Sequence, residues 1–131
     1  MDTKEKFKIL LVDDEKDLCE IIKLRIESWG YEVFIAQSAK DSLYLLEVKN
    51  PDVIILDFLL PDMNGIELLK EIRNINKKVK VIMFTAHPDI EVIKRTEELG
   101  VDSFIPKLST YGDAANNLKT ALDLIKRKLN K

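Results

Sequence analysis

Asp52-Val53-Ile54-Ile55-Leu56-Asp57 is the most apolar run bounded by an acid on both sides, and it sits near the middle of the chain. Its four aliphatic residues, three of them β-branched, make a run too short for a helix and too uniformly apolar for a strand with one wet face. It reads as a central strand buried on both sides. The run ends on a carboxylate. Residues 58–65, Phe-Leu-Leu-Pro-Asp-Met-Asn-Gly, then place a Pro and a Gly before the next periodic segment, so the chain leaves the sheet in an ordered loop. Asp57 therefore stands at the carboxyl end of a strand, the edge where open α/β sheets bind ligands.

Working back from that strand, residues 39–49 read as a helix stopped by Asn50-Pro51, and residues 31–36 as a β-branched and aromatic strand. Before them, residues 15–29 carry Leu18, Ile22, Ile26 and Trp29 on one helical face, with Gly30 as the stop. Lys8-Ile9-Leu10-Leu11-Val12 is a second buried strand, and it ends on two adjacent acids, Asp13-Asp14.

Working forward, residues 66–76 form a helix through Ile66, Leu69, Ile72 and Arg73, and residues 80–84 a strand ending on Thr85-Ala86. Pro88 suits the first turn of a fourth helix, which has a weak apolar stripe, runs to about Leu99 and stops at Gly100. Residues 101–105 are the fifth strand, followed by Pro106-Lys107. Thr110 and Asp113 make a capping box for a last helix with the stripe Ala114, Leu118, Ala121, Leu122, Ile125 and Leu129. Lys126-Arg127-Lys128 at its end suit the helix dipole.

The chain of 131 residues is expected to be one domain over residues 1–131, with its core in about residues 7–129. Apolar residues at 46% and charged residues at 34% give a globular profile. No apolar run reaches the roughly 18 residues of a membrane helix, and residues 1–6 lack a signal-peptide pattern, so a cytoplasmic protein without a membrane partner is expected. A net charge of −2 with interspersed signs gives no basic face for nucleic acid. Cys19, alone, excludes an intrachain disulfide and a cysteine-rich metal site, and reads as a small side chain on a helix. Gly30, Gly65, Gly100 and Gly112 are too scattered for a phosphate loop or a dinucleotide fingerprint, so no nucleotide cofactor is expected.

Alternation of strand and helix in units of about 25 residues implies an α/β fold, a parallel sheet with right-handed crossovers and helices on both faces. The expected architecture is a (βα)5 three-layer sandwich with strand order 2-1-3-4-5, which puts strands 1 and 3 side by side. Asp13, Asp14, Asp57, Thr85 and Lys107 then fall together at the carboxyl ends of four strands. Three carboxylates and one ammonium leave an excess of negative charge, and two carboxylates about 4 Å apart repel by about 4 kcal/mol at an effective dielectric of about 20. A divalent cation relieves that, and an all-oxygen donor set suits Mg²⁺.

Asp13-Asp14, Asp57 followed by Pro61 and Gly65, Thr85-Ala86 and Lys107 resemble the receiver domain of two-component response regulators, over about residues 7–129. The resemblance implies a flavodoxin-like (βα)5 fold, that Asp57 is a phosphoacceptor, and that Asp13, Asp14, Asp57 and the Leu59 backbone carbonyl hold Mg²⁺. It also implies that Lys107 and Thr85 contact the phosphoryl group, and that Phe104 changes rotamer when the Thr85 hydroxyl moves. Phe104 reads equally well as a strand aromatic packed on a helix. The implied donor is a phosphohistidine on a sensor histidine kinase or histidine phosphotransfer protein. The implied output is a changed surface of helix 4, strand 5 and helix 5 for a downstream protein, with no enzyme activity beyond the domain's own phosphotransfer and dephosphorylation.

The chain departs from that family where a proline usually follows the lysine: Pro106 precedes Lys107 and Leu108 follows it. An atypical loop is expected there, because a cis bond at Lys107-Leu108 would cost about 2.5–4 kcal/mol without proline's help. Pro106 suits an edge strand. Leu59 and His87 occupy two positions that influence acyl-phosphate lifetime in the family. Leucine cannot position a hydrolytic water, so slow self-dephosphorylation is expected, while His87 reads mainly as a loop residue before Pro88. Three alternatives stand beside a stand-alone switch. The first is the N-terminal receiver of a longer regulator. The second is an aspartyl-nucleophile phosphohydrolase of the haloacid-dehalogenase type, whose D-x-D this chain replaces with Asp13-Asp14-Glu15. The third is a flavodoxin-like electron carrier, whose phosphate loop conflicts with two acids.

Overall fold

The computed structural model describes residues 6–86, 89–107 and 111–130, without the side chains of residues 111–113. The chain runs β1 (Lys8–Val12), α1 (Lys16–Ser28), β2 (Glu32–Ala36), α2 (Ala39–Lys49), β3 (Val53–Leu56), α3 (Gly65–Ile75), β4 (Lys80–Thr85), α4 (Ile90–Glu98), β5 (Ser103–Pro106) and α5 (Tyr111–Leu129). All neighbouring strands pair in parallel, in the order β2-β1-β3-β4-β5. The expected fold and strand order are those observed.

Alternation along the strands splits the core into two layers. Ile9, Leu11, Val53, Ile55, Ile82, Phe84 and Ile105 pack with residues of α1 and α5 on one face. Leu10, Val12, Ile54, Leu56, Val81 and Met83 pack with α2 and α3 on the other. Every residue of β3 is buried, as expected of a central strand covered on both faces. Cys19, Ile22 and Ile26 form the buried face of α1, flanked by the partly buried Leu18 and Trp29. Gly30 and Gly100, with φ of 98° and 78°, end α1 and α4 in the left-handed region that favours glycine.

Several boundaries differ from the sequence expectation for identifiable reasons. Helix α4 begins at Ile90 and not around Pro88, because Asp89 caps it by accepting a hydrogen bond from the Glu91 N–H at 2.8 Å. Pro88 itself lies outside the described residues. Only Thr96 of α4 is buried, as its weak stripe predicts. Strand β5 begins later and ends later than expected. The Val101 N–H still closes α4 by donating to the Thr96 carbonyl, and pairing with β4 extends to Thr85 opposite Pro106. Pro106 costs no hydrogen bond there: β5 is an edge strand and the Lys107 N–H, not residue 106, serves the Thr85 carbonyl, at 2.7 Å. Leu129, counted in the apolar stripe of the last helix, is 45% exposed. The proposed capping box at Thr110 and the Lys107-Leu108 loop lie outside the described residues.

Side chains stitch the amino end of the sheet to the backbone. Asp52 accepts from the Lys8 N–H at 2.8 Å, and Asp102 from the Val81 N–H at 2.9 Å. Arg73 donates to the carbonyls of Val79 (2.7 Å), Gly100 (2.9 Å) and Leu99 (3.1 Å), pinning the loops that enter β4 and β5. Burial lowers the pKa of Arg73, with the nearby charge of Asp102 opposing. No helix among the described residues is long and apolar enough to cross a membrane.

Candidate functional site

Adjacent parallel strands bring their ends together, and here β1 and β3 do so at the point where the chain order reverses. The Asp57 N–H donates to the Val12 carbonyl at 3.0 Å, continuing the β1–β3 ladder to the last residue and setting Asp57 beside Asp13. Asp13 is in turn held by its own N–H, which donates to the Ala36 carbonyl at 3.0 Å, and by the Glu15 N–H, which donates to its Oδ1 at 3.0 Å. Carboxylate oxygens of Asp13, Asp14 and Asp57 all lie within 4.8 Å of one another. Asp13 and Asp57 are buried and Asp14 is exposed, which gives the cluster one open side.

Lys107, directly after β5, reaches across β4 to this cluster. Its ammonium donates to Asp13 Oδ2 and, at 3.3 Å, to Asp57 Oδ2, and lies 5.5 Å from the centre of the Phe84 ring. Burial by itself would lower its pKa. The hydrogen bond to Asp13 and the charges of Asp57 and Asp13 outweigh burial, so the net shift is upward and the lysine is firmly cationic. Asp57 Oδ1 is buried and accepts no hydrogen bond from any described residue. A charged oxygen left so is costly unless something else meets it.

The loop after β3 is closed at its base. The Gly65 N–H donates to the Phe58 carbonyl at 2.6 Å, and Leu59 and Asn64 form an isolated antiparallel bridge. Gly65 is required by space: a Cβ there would lie 2.8 Å from the Phe58 Cα and 2.9 Å from the Asp57 carbonyl oxygen. Asn64 caps α3 by accepting from the Glu67 N–H at 2.9 Å. The Leu59 side chain is 47% exposed beside the acceptor loop.

Of the residues singled out in the sequence, Asp13, Asp14, Asp57 and Lys107 converge directly. Thr85, fully buried at the end of β4, joins them through its carbonyl, which the Lys107 N–H meets. Phe104, opposite Met83 in β5, is partly buried against the core layer shared with α2 and α3. His87 lies outside the described residues. Cys19 packs beneath the cluster, its thiol donating to the Asp13 carbonyl at 3.2 Å. Burial first, then the charge of Asp13, pushes that thiol up to about 12, so it is an inert packing group. Asp62, which no motif in the sequence marks, has a carboxylate that accepts from the N–H groups of Ala39 and Lys40. A Pro-Asp step in a loop carries no local sign of a partner 23 residues away.

Comparison with known proteins agrees with this geometry. The family model of the response regulator receiver domain matches residues 9–126. Sporulation initiation phosphotransferase F of Bacillus subtilis is 30% identical over 117 residues, covering 89% of this chain and 94% of that protein. A two-component response regulator from Clostridium difficile superposes with a TM-score of 0.87 at 25% identity, over 96% of this chain and 100% of the other. A CheY-like response regulator receiver domain protein from Methanospirillum hungatei does so with a TM-score of 0.83 at 31% identity, over 95% and 99%. Acidic cluster, strand order and sequence thus converge, and the chain belongs to the family of response regulator receiver domains, phosphorylatable regulatory units of two-component signalling that bind Mg²⁺ and work with histidine kinases or phosphotransfer proteins and downstream effectors.

Proposed function

We propose that Asp57 is the phosphoacceptor of a cytoplasmic signalling switch, loaded from a phosphohistidine on a sensor histidine kinase or a histidine phosphotransfer protein. The observation that carries this reading is the buried Oδ1 of Asp57, which has no hydrogen-bond partner among the described residues, in a cluster of three carboxylates of which Lys107 meets Asp13 and Asp57. In the transfer, an Asp57 carboxylate oxygen bonds to phosphorus as the phosphorus–nitrogen bond of the phosphohistidine breaks. The imidazole nitrogen keeps the electron pair, and an acyl phosphate remains on Asp57.

The donor set is all carboxylate oxygen within 4.8 Å, which fits Mg²⁺. Asp13, Asp14, Asp57 and the Leu59 carbonyl would hold the ion. Bound there, Mg²⁺ supplies the positive charge that lets an anionic phosphoryl group approach carboxylates. Lys107, already shared between Asp13 and Asp57, is placed to exchange one carboxylate for a phosphoryl oxygen. Thr85 would donate its hydroxyl to another, and with Phe104 pass the change to the surface of α4, β5 and α5, where a downstream protein binds. The domain catalyses only its own phosphorylation and dephosphorylation, and the apolar Leu59 beside the acceptor makes the second slow.

Intact mass after incubation with Mg²⁺ and acetyl phosphate tests this. Wild type is expected to gain one phosphoryl group, about 80 Da, and Asp57→Asn, or wild type with EDTA, to gain none. An adduct that survives in Asp57→Asn would refute the assignment of the acceptor.

A further inference from the structure

Asp62 sits at the tip of the β3–α3 loop, exposed to solvent and outside the cluster of Asp13, Asp14 and Asp57. It nonetheless makes two charge-assisted hydrogen bonds to a different element. Its Oδ1 accepts from the Ala39 N–H at 2.8 Å and its Oδ2 from the Lys40 N–H at 3.0 Å, the first two residues of α2. First-turn N–H groups have no partner within their own helix, so an anion there is favoured both by the donors and by the helix dipole. These bonds, Ala39 first and Lys40 next, hold the Asp62 carboxyl below the usual carboxylate range. Helix α2 already has a local cap, since Ser38 Oγ accepts from the Asp41 N–H at 3.1 Å. Asp62 takes N–H groups that this cap leaves over.

The consequence lies in the loop. Its base is closed by the Gly65 to Phe58 hydrogen bond and by the Leu59–Asn64 bridge. Its tip is fastened only by Asp62 among the hydrogen bonds of the described residues to other elements. The anchor is firm, because Ala39, Ser42 and Leu46 bury α2 against the sheet. Leu59, whose backbone carbonyl is assigned to the cation, pairs with Asn64 at the base of the loop, three residues before the Asp62 clasp. We propose that Asp62 is a positioning residue: its two-point clasp on the first turn of α2 holds the β3–α3 loop, and with it the Leu59 carbonyl, in the geometry that binds a divalent cation. This rests on the reading of the site given under the proposed function.

Titration calorimetry with MgCl2, together with amide hydrogen exchange by NMR, tests it on wild type, Asp62→Ala, Asp62→Asn and Ser38→Ala. Asp62→Ala is expected to weaken Mg²⁺ binding about tenfold, the size of effect seen when a group supporting a metal ligand is removed. It is also expected to speed exchange at residues 59–64. Asp62→Asn, which keeps one acceptor oxygen, falls between wild type and Asp62→Ala. Ser38→Ala loosens the same helix turn without touching the loop, and leaves Mg²⁺ affinity unchanged. Unchanged affinity and unchanged exchange in Asp62→Ala would overturn the proposal. So would an equal loss of affinity in Ser38→Ala, which would assign the effect to the stability of α2. Should wild type bind no Mg²⁺, the metal reading of the site fails, and exchange at residues 59–64 decides the clasp by itself.

Discussion

At the amino end of the sheet Asp52 and Asp102 give their carboxylates to the backbone N–H groups of Lys8 and Val81, and Arg73 gives its guanidinium to the carbonyls of Val79, Leu99 and Gly100. At the carboxyl end Asp13, Asp14 and Asp57 face one another, Lys107 meets the first and the last of them, and one oxygen of Asp57 has no partner among the described residues. The same residue types stand at both ends of the same strands. A charge answered by the backbone is satisfied at one fixed geometry and stabilises the fold. A charge that faces like charges is held in place by the fold against its own repulsion, and that makes it available to a cation and a phosphoryl group. Stability is therefore concentrated at one end and reactivity at the other.

The largest effect expected from this contrast is at Arg73. Arg73→Ala leaves several part-buried carbonyls without a donor and should cost about 3 kcal/mol in urea denaturation, while phosphoryl uptake per folded molecule stays unchanged. Arg73→Lys should recover little, because one ammonium cannot reach carbonyls that the guanidinium fork serves together. A variant that lost uptake and kept its stability would break the comparison. Asp57→Asn should act in the opposite direction. Measured without divalent cations, it should raise stability by about 1–2 kcal/mol, since a carboxamide removes like-charge repulsion and can donate to a neighbouring carboxylate. A loss instead would show that the 3.3 Å contact with Lys107 outweighs the repulsion.

The smallest effect is at Tyr31, just before β2 at the amino end, whose hydroxyl donates to Asp123 at 2.7 Å. Burial first, then that hydrogen bond and the charge of Asp123, raise its pKa above the ordinary value. A group whose folded pKa is raised contributes stability that is full below its unfolded pKa, about 10 for tyrosine, and is lost as pH rises through the higher folded value. Thermal midpoints followed from neutral pH upward should fall above about pH 10 in wild type and fall less in Tyr31→Phe. At neutral pH Tyr31→Phe should cost about 1 kcal/mol. Equal slopes for the two proteins would remove Tyr31 from the set of groups that close the amino end.

Most of the fold is legible in the sequence because it rests on short-range pattern. The run Val53–Leu56 can be nothing but a doubly covered strand, and β1 and α2 have the bounds their residues announce. Boundaries slip where a non-local bond decides. Pairing with β4 carries β5 on through Pro106, whereas the slip at α4 is local, set by the Asp89 cap on the Glu91 N–H. The acids and the lysine of the site are equally legible, since each stands at the carboxyl end of a recognisable strand. Asp52 and Asp102 offered a signal too, an acid one residue before a strand, but the N–H groups they serve lie 44 and 21 residues away.

The sequence by itself determined which residues could be charged, which runs had to be buried, and that parallel strands would collect Asp13, Asp14, Asp57, Thr85 and Lys107 at one edge. That follows from the chain's local periodicity and the single hand of its crossovers. What each charge meets is set by the packing of the folded chain. Asp62 and Arg73 find backbone partners on other elements, and Asp57 Oδ1 finds none among the described residues. Whether a carboxylate is a fastening or a reactive group depends on the donors within about 3 Å of it, and those are set by packing between elements that are distant in the chain.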